Sequence, residues 1–188
     1  MRQFALFAVT LTLVAGSTIS GQTNAPKEEF TAVAIVNNNL ASGLGRVIMQ
    51  VSRWSSEAER TRLAETLLQK GPDELLDVLR DNRSVGTIRT PDSLGYDLRY
   101  AHQEPGKDGG RRIVIATDRP ISFWEARNQP RTIDYPFTVI QTEIGPEGKG
   151  KGTMSYATKI TVRAKTVELE NFASSPVMLT EVEAKLLK

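Results

Sequence analysis

Met154-Ser155-Tyr156-Ala157-Thr158-Lys159-Ile160-Thr161-Val162-Arg163 reads with a period of two. Met154, Tyr156, Thr158, Ile160 and Val162 share one face, opposite Ser155, Lys159, Thr161 and Arg163. A strand turns successive side chains to opposite sides, so the stretch predicts a half-buried β-strand over 153–163. Similar runs at 137–144, 166–172 and 177–183 make the last third a meander. Further upstream, 111–117 holds Ile113-Val114-Ile115-Ala116, apolar on both faces as a central strand is. Residues 85–90 and 94–102 flank the turn Pro91-Asp92-Ser93, and Tyr96, Leu98 and Tyr100 alternate with Asp97 and Arg99. Two earlier strands, 30–36 and 46–54, are separated by Asn37-Asn38-Asn39 and Ser42-Gly43.

Between the second and third strands the period changes. Ser56 and Glu59 have the spacing of a capping box, in which each side chain satisfies the other's orphan backbone N–H. Leu63 and Leu67 then form an i, i+4 stripe flanked by Ala64 and Leu68, which predicts a helix over 56–70. Gly71 stops it, and Pro72 suits the first turn of a second helix over 73–80 that buries Leu75, Leu76 and Leu79. The expected class is α+β and mostly β. It is an antiparallel barrel or sandwich of about nine strands, with one helical hairpin inserted after the second and packed across a face or end of the sheet.

The N-terminus has the pattern of an export signal. Arg2 supplies the positive end, an uncharged and largely apolar run covers 4–15, and small residues gather at Gly16, Ser17, Ser20 and Gly21. Cleavage is expected after Ser20, with Gly21 as the alternative. The apolar run is shorter than the roughly 20 residues a membrane span needs, so no stable membrane insertion is expected after cleavage. Residues 1–20 are thus read as a signal peptide, 21–29 as a flexible leader and 30–188 as a single β-rich domain. Removing 20 of the 188 residues leaves 168, enough for a core that buries roughly 70% of the unfolded surface without staples. The absence of Cys fits an oxidising periplasmic or extracellular location. With Arg2 gone, 23 basic residues face 22 acidic ones, and so even a balance gives no electrostatic case for nucleic acid.

The residue inventory excludes much chemistry. There is one histidine, His102, and no cysteine, so Cys nucleophiles, poly-imidazole zinc sites and two-histidine iron sites are unavailable. His102 ends a predicted strand beside a polar loop and reads as a surface residue. Gly145-Pro-Glu-Gly-Lys-Gly-Lys-Gly152 mimics a phosphate loop, but Gly152 stands where Ser or Thr should hold magnesium. A strand follows it instead of a helix, and a glycine-rich hairpin tip explains it. Asn82-Arg83-Ser84 is formally a glycosylation sequon. No cofactor or metal is expected.

The richest segment is the long connection from Asp118 to Pro136. Phe123 and Trp124 could line a pocket mouth, while Arg119 or Arg127 clamps a carboxylate or phosphate with a bidentate fork. Glu125 and Asp134 are the weak catalytic candidates, the minimum acid–base pair for glycoside hydrolysis. The plainer reading is that Trp124 plugs one end of the domain and the charged groups pair to fix the loop. Outward charges such as Asp97, Arg99, Lys159, Glu168 and Glu170 read as cross-strand pairs worth roughly 0.2–1 kcal/mol each.

Three stretches together carry a resemblance: Gly86-Thr-Ile-Arg-Thr-Pro-Asp-Ser-Leu-Gly-Tyr-Asp-Leu-Arg-Tyr100, Ala116-Thr-Asp-Arg-Pro-Ile-Ser-Phe-Trp-Glu125 and Pro176-Val-Met-Leu-Thr-Glu181. They resemble a group of exported proteins of environmental bacteria that carries no established activity. The likeness covers about residues 30–183 and implies export and a single domain, but no catalytic residue, cofactor or substrate. The expected function is therefore an exported, non-enzymatic module that binds a small ligand or an envelope protein. The alternative is a carboxylate-based hydrolase acting on cell-envelope sugars or esters.

Overall fold

The computed structural model describes residues 7–9, 27–37, 42–121, 134–163, 166–172 and 175–187. Eleven strands, two α-helices and a short 3-10 turn (Lys107–Gly109) appear among them. The strands are β1 (Phe7–Val9), β2 (Glu28–Asn37), β3 (Ser42–Val51), β4 (Gly86–Arg89), β5 (Tyr96–Leu98), β6 (Tyr100–Pro105), β7 (Arg111–Thr117), β8 (Phe137–Ile144), β9 (Lys149–Arg163), β10 (Thr166–Asn171) and β11 (Val177–Leu186). The helices, α1 (Glu57–Lys70) and α2 (Pro72–Asp81), lie between β3 and β4.

Nine strands run in the order β5-β4-β3-β2-β11-β9-β8-β7-β6. Every pairing is antiparallel, and the path nearly closes into a barrel, which decides between barrel and sandwich. The two ends of the sheet meet at Arg99. The expected single strand over 94–102 breaks at Arg99: β5 pairs with β4, whereas β6 pairs with β7. The Arg99 N–H donates to the Ala116 carbonyl of β7 at 2.9 Å, so one continuous piece of chain joins the two ends of the sheet. Beside β6, the Ser55 N–H reaches the Ala101 carbonyl (2.8 Å), and the Ala101 N–H reaches the Ser55 hydroxyl (3.1 Å). Trp54, next to this seam, is buried in the barrel core.

Inward-facing side chains fill the interior. Phe30, Met49, Ile88, Leu98, Ile113, Ile115, Ile140, Ile144 and Met154 are fully buried there. Alternation along β2 puts Glu28, Phe30, Ala32, Ala34 and Val36 inside. Glu28 is the exception in kind, and Arg111 answers it from the start of β7. The guanidinium holds both carboxylate oxygens, one at 2.7 Å, and donates to Gln103 Oε1 at 2.8 Å. It also lies 5.9 Å from the centre of the Phe30 ring.

Strand β9 departs from simple alternation. On β8, Phe137 pairs with Thr158 while Val139 pairs with Ser155, so β9 carries one extra residue. A bulge of this kind reverses the inside–outside alternation. Met154 and Tyr156 face the barrel core, as expected. Beyond the bulge Ile160 joins an outer cluster with Phe137, Val139, Leu63, Leu75 and Leu79. Consequently the predicted five-residue face of Met154, Tyr156, Thr158, Ile160 and Val162 is split between two cores. The second half of β9 pairs with β10 to make a flap, and the helical hairpin packs over it and over Val114 and Tyr100. That packing is why 113–116 is apolar on both faces: Ile113 and Ile115 line the barrel and Val114 meets the helices.

Both helices begin as the sequence expects. Ser56 accepts the Glu59 N–H at 3.2 Å, and Glu59 accepts the Ser56 N–H at 2.7 Å. Arg53 grips the same Glu59 through two bonds of 3.0 and 2.9 Å and donates to the Arg83 carbonyl at 2.7 Å. The chain entering the hairpin is thus tied to the chain leaving it. The glycine-rich turn is narrower than expected. It spans Gly145–Gly148, while Gly150 and Gly152 lie within β9. A Cβ at Gly150 would sit 1.9 Å from the Glu143 carbonyl oxygen, so close strand approach explains that glycine. No helix among the described residues is long and apolar enough to cross a membrane.

Candidate functional site

The connection between β7 and β8 leaves one end of the barrel, opposite the Glu28–Arg111 pair, and each of its roots is anchored. At the first root, Ile121 is buried and its N–H meets the Tyr156 carbonyl (3.0 Å) and the Thr138 hydroxyl (3.1 Å). That hydroxyl also lies within bonding distance of the Arg119 and Tyr156 carbonyls, at 2.9 and 2.7 Å. A buried threonine therefore stitches the leaving chain to β8 and β9. At the second root, the Tyr135 hydroxyl donates to Glu170 at 2.9 Å and its ring meets Phe172 edge-on at 5.4 Å.

Asp118 fixes the outer side of the first root. Its carboxylate, 5% exposed, lies 3.5 Å from Arg99 Nε and 3.4 Å from Arg119 Nη2. Burial raises its pKa, but the Arg119 hydrogen bond and charge, with the Arg99 charge, outweigh it and hold the carboxyl below its ordinary value. Arg99 further contacts Asp97 at 3.5 Å and donates to the Asn82 carbonyl at 3.1 Å, joining the root to the end of α2. Arg99 and Asp97 thus do more than an exposed cross-strand pair.

Of the candidate residues, Arg119 is about half exposed at the rim and carries its contact to Asp118. Asp134 is exposed where the described chain resumes. Phe123, Trp124, Glu125 and Arg127 lie outside the described residues, so no geometry joins Glu125 to Asp134. Sequence reasoning missed Thr138, whose partners lie 17 to 19 residues away, where no local pattern reaches. Asp118 pairs with adjacent Arg119, as the plainer reading of charged groups fixing the loop expects, and also with Arg99, 19 residues away.

A second cluster lies on the outer wall beneath the start of α1. Tyr100, His102 and Glu104 alternate along β6, with Arg112 bonded to Glu104 at 3.0 Å. Glu57 and Arg60 of α1 pair with each other above them. His102 is not the surface histidine expected: it is half-buried, stacks on Tyr100 at 6.3 Å, and its Nδ1 is buried without a partner. Desolvation first, then the Arg60 charge, lower its pKa. Burial likewise pushes the Tyr100 hydroxyl up. The period-two spacing of 100, 102 and 104 was legible, but the helix that covers them was not. Among the described residues no group of three or more His, Asp or Glu side chains could hold a metal ion.

Against known proteins, no family model, no curated protein and no solved structure matches this chain.

Proposed function

We propose that this is an exported, non-enzymatic binding module of the periplasm or cell exterior. Its recognition element is the connection from Asp118 to Pro136, which meets a small ligand or an envelope protein at the barrel rim. One observation carries the reading: both roots of that connection are fixed to the wall by Thr138, Asp118 and Tyr135. Rigid scaffolds that present long connections are a common arrangement for binding surfaces. The packed aliphatic interior supports recognition at the rim over a ligand enclosed by the barrel. Arg119, half exposed, supplies a cation for a carboxylate or phosphate, and Phe123, Trp124 and Arg127 follow it in the chain.

Native mass spectrometry of the processed, exported protein tests the reading. The expected result is a bound species that disappears in the Arg119→Ala, Trp124→Ala double variant while the fold persists. Retention of the same species by the double variant would place recognition elsewhere. Turnover of glycans or esters that is abolished by Glu125→Gln with Asp134→Asn would replace this reading with the hydrolase.

A further inference from the structure

Strand β10 is the outer strand of the flap, bounded by β9 on one side and by the three residues of β1 on the other. The two registers align rows across all three strands: Ile160, Leu169 and Phe7 in one, Val162, Val167 and Val9 in the next. Leu169 and Val167 pack against the cluster beneath the helical hairpin, so both rows lead from a covered apolar shelf out to the edge. Glu168, opposite Ala8 and Thr161, holds the intervening position on the other face. The occupant of that edge comes from the stretch read as a cleavable signal, and the inference rests on that reading. Cleavage would free the backbone N–H and C=O groups that face β1, and an unpaired edge is a template for another strand.

We propose that the outer edge of β10 is a strand-accepting site. In the precursor it is filled by Phe7–Val9. In the processed protein it takes an extended segment of a partner protein, antiparallel, with apolar residues opposite Leu169 and Val167 and a small or basic residue opposite Glu168. Main-chain pairing provides the attachment and the alternate side chains provide the selectivity. The chain's own Phe7-Ala8-Val9 already shows this pattern in place. A second copy of β10 fits poorly. Antiparallel pairings that set Val167 against Leu169, or Leu169 against itself, put Glu168 opposite Glu168 or Glu170, and like charges directly opposite destabilise a sheet. Setting Val167 against itself leaves Leu169 opposite Lys165, beyond the end of β10, with no apolar partner.

The probe is a labelled peptide carrying residues 4–12 between lysine pairs, titrated by fluorescence anisotropy into the exported, processed protein and into the precursor. Saturable binding to the processed form, at least tenfold weaker to the precursor, is expected, with slowed amide exchange at 166–171. Replacing Ala8 of the peptide by Lys should tighten binding relative to Glu, and Glu168→Lys in the protein should reverse that order. N-terminal sequencing separates the two ways to fail. A processed protein that starts beyond Gly21 or at it and binds no peptide overturns the site. An exported protein that retains Phe7–Val9 overturns the cleavage reading and with it any exchange of strands. An order of Lys over Glu peptides that Glu168→Lys leaves unchanged overturns the assigned register.

Discussion

Arg111 holds both oxygens of the buried Glu28 carboxylate at the barrel end opposite the long connection, and only Glu28 of the pair is nearly inaccessible to solvent. The asymmetry decides what each substitution does. Arg111→Ala leaves a buried charge without its partner and should destabilise the protein by about 3–5 kcal/mol. Replacing both, as Glu28→Gln with Arg111→Met, removes the charge as well as its partner and should cost clearly less. Urea unfolding of the two variants checks this; equal losses would mean that packing, not charge, holds this end closed.

Gly150 and Gly43 make a second contrast. Alanine at Gly150 would drive its Cβ into the Glu143 carbonyl, whereas at Gly43 nothing lies within 4 Å. Gly150→Ala is therefore expected to cost about 1–3 kcal/mol, in the range of overpacked cores. Gly43→Ala should be neutral or stabilising by up to about 1 kcal/mol, because it restricts the unfolded chain. In thermal melts, Gly150→Ala should lower the midpoint while Gly43→Ala leaves it unchanged or raises it.

The His102 environment predicts an acid-sensitive hairpin. Its neighbours are Glu57 and Arg60 from α1, Tyr100 and Glu104 from β6, and Arg112 from β7. Because desolvation and Arg60 lower its folded pKa, the unfolded chain binds the proton more readily. Stability is then unaffected by this residue well above its ordinary value near 6.5, and falls as pH drops below that value until the folded pKa is passed. An NMR titration should give a His102 midpoint below 6.5, and His102→Leu should remove this part of the acid loss. A midpoint at or above 6.5 would contradict the burial.

Glu59 acts over a lower range. Burial raises its pKa, but the Arg53 and Ser56 hydrogen bonds prevail and lower it. Its contribution is present above the unfolded carboxylate value of about 4.3 and is lost as pH falls through the lower folded value. Glu59→Gln should therefore flatten the stability profile below about pH 4 relative to the parent, and leave the His102 region unchanged.

Much of this architecture was legible because it is written locally. The capping box at Ser56 and Glu59, the stop at Gly71 and the leucine spacing of both helices are short-range patterns. Strand number and the hairpin's place in the chain followed from period and turn residues. What escaped is tertiary. Counting by twos along 154–162 cannot detect the extra residue of a bulge, so the common face it gives Met154 and Ile160 is not the one they occupy. Likewise, nothing in 94–102 announces that the chain changes partners at Arg99. The covering of His102 by α1 and the stitching of Ile121 by Thr138 depend on residues brought together from distant parts of the chain. Length and composition mark the connection; its anchors exist only in three dimensions.

The most direct test of the connection as a recognition element, not a plug, is the thermal melt of the processed Arg119→Ala, Trp124→Ala variant. If Trp124 serves recognition, the midpoint should stay within about 4 °C of the parent, since losing the Arg119 contact costs roughly 1 kcal/mol or less, worth about 2–4 °C per kcal/mol at this size. A tryptophan that plugs the barrel would cost about 3–5 kcal/mol on truncation, and a fall on the order of 10 °C or more would contradict the proposed role.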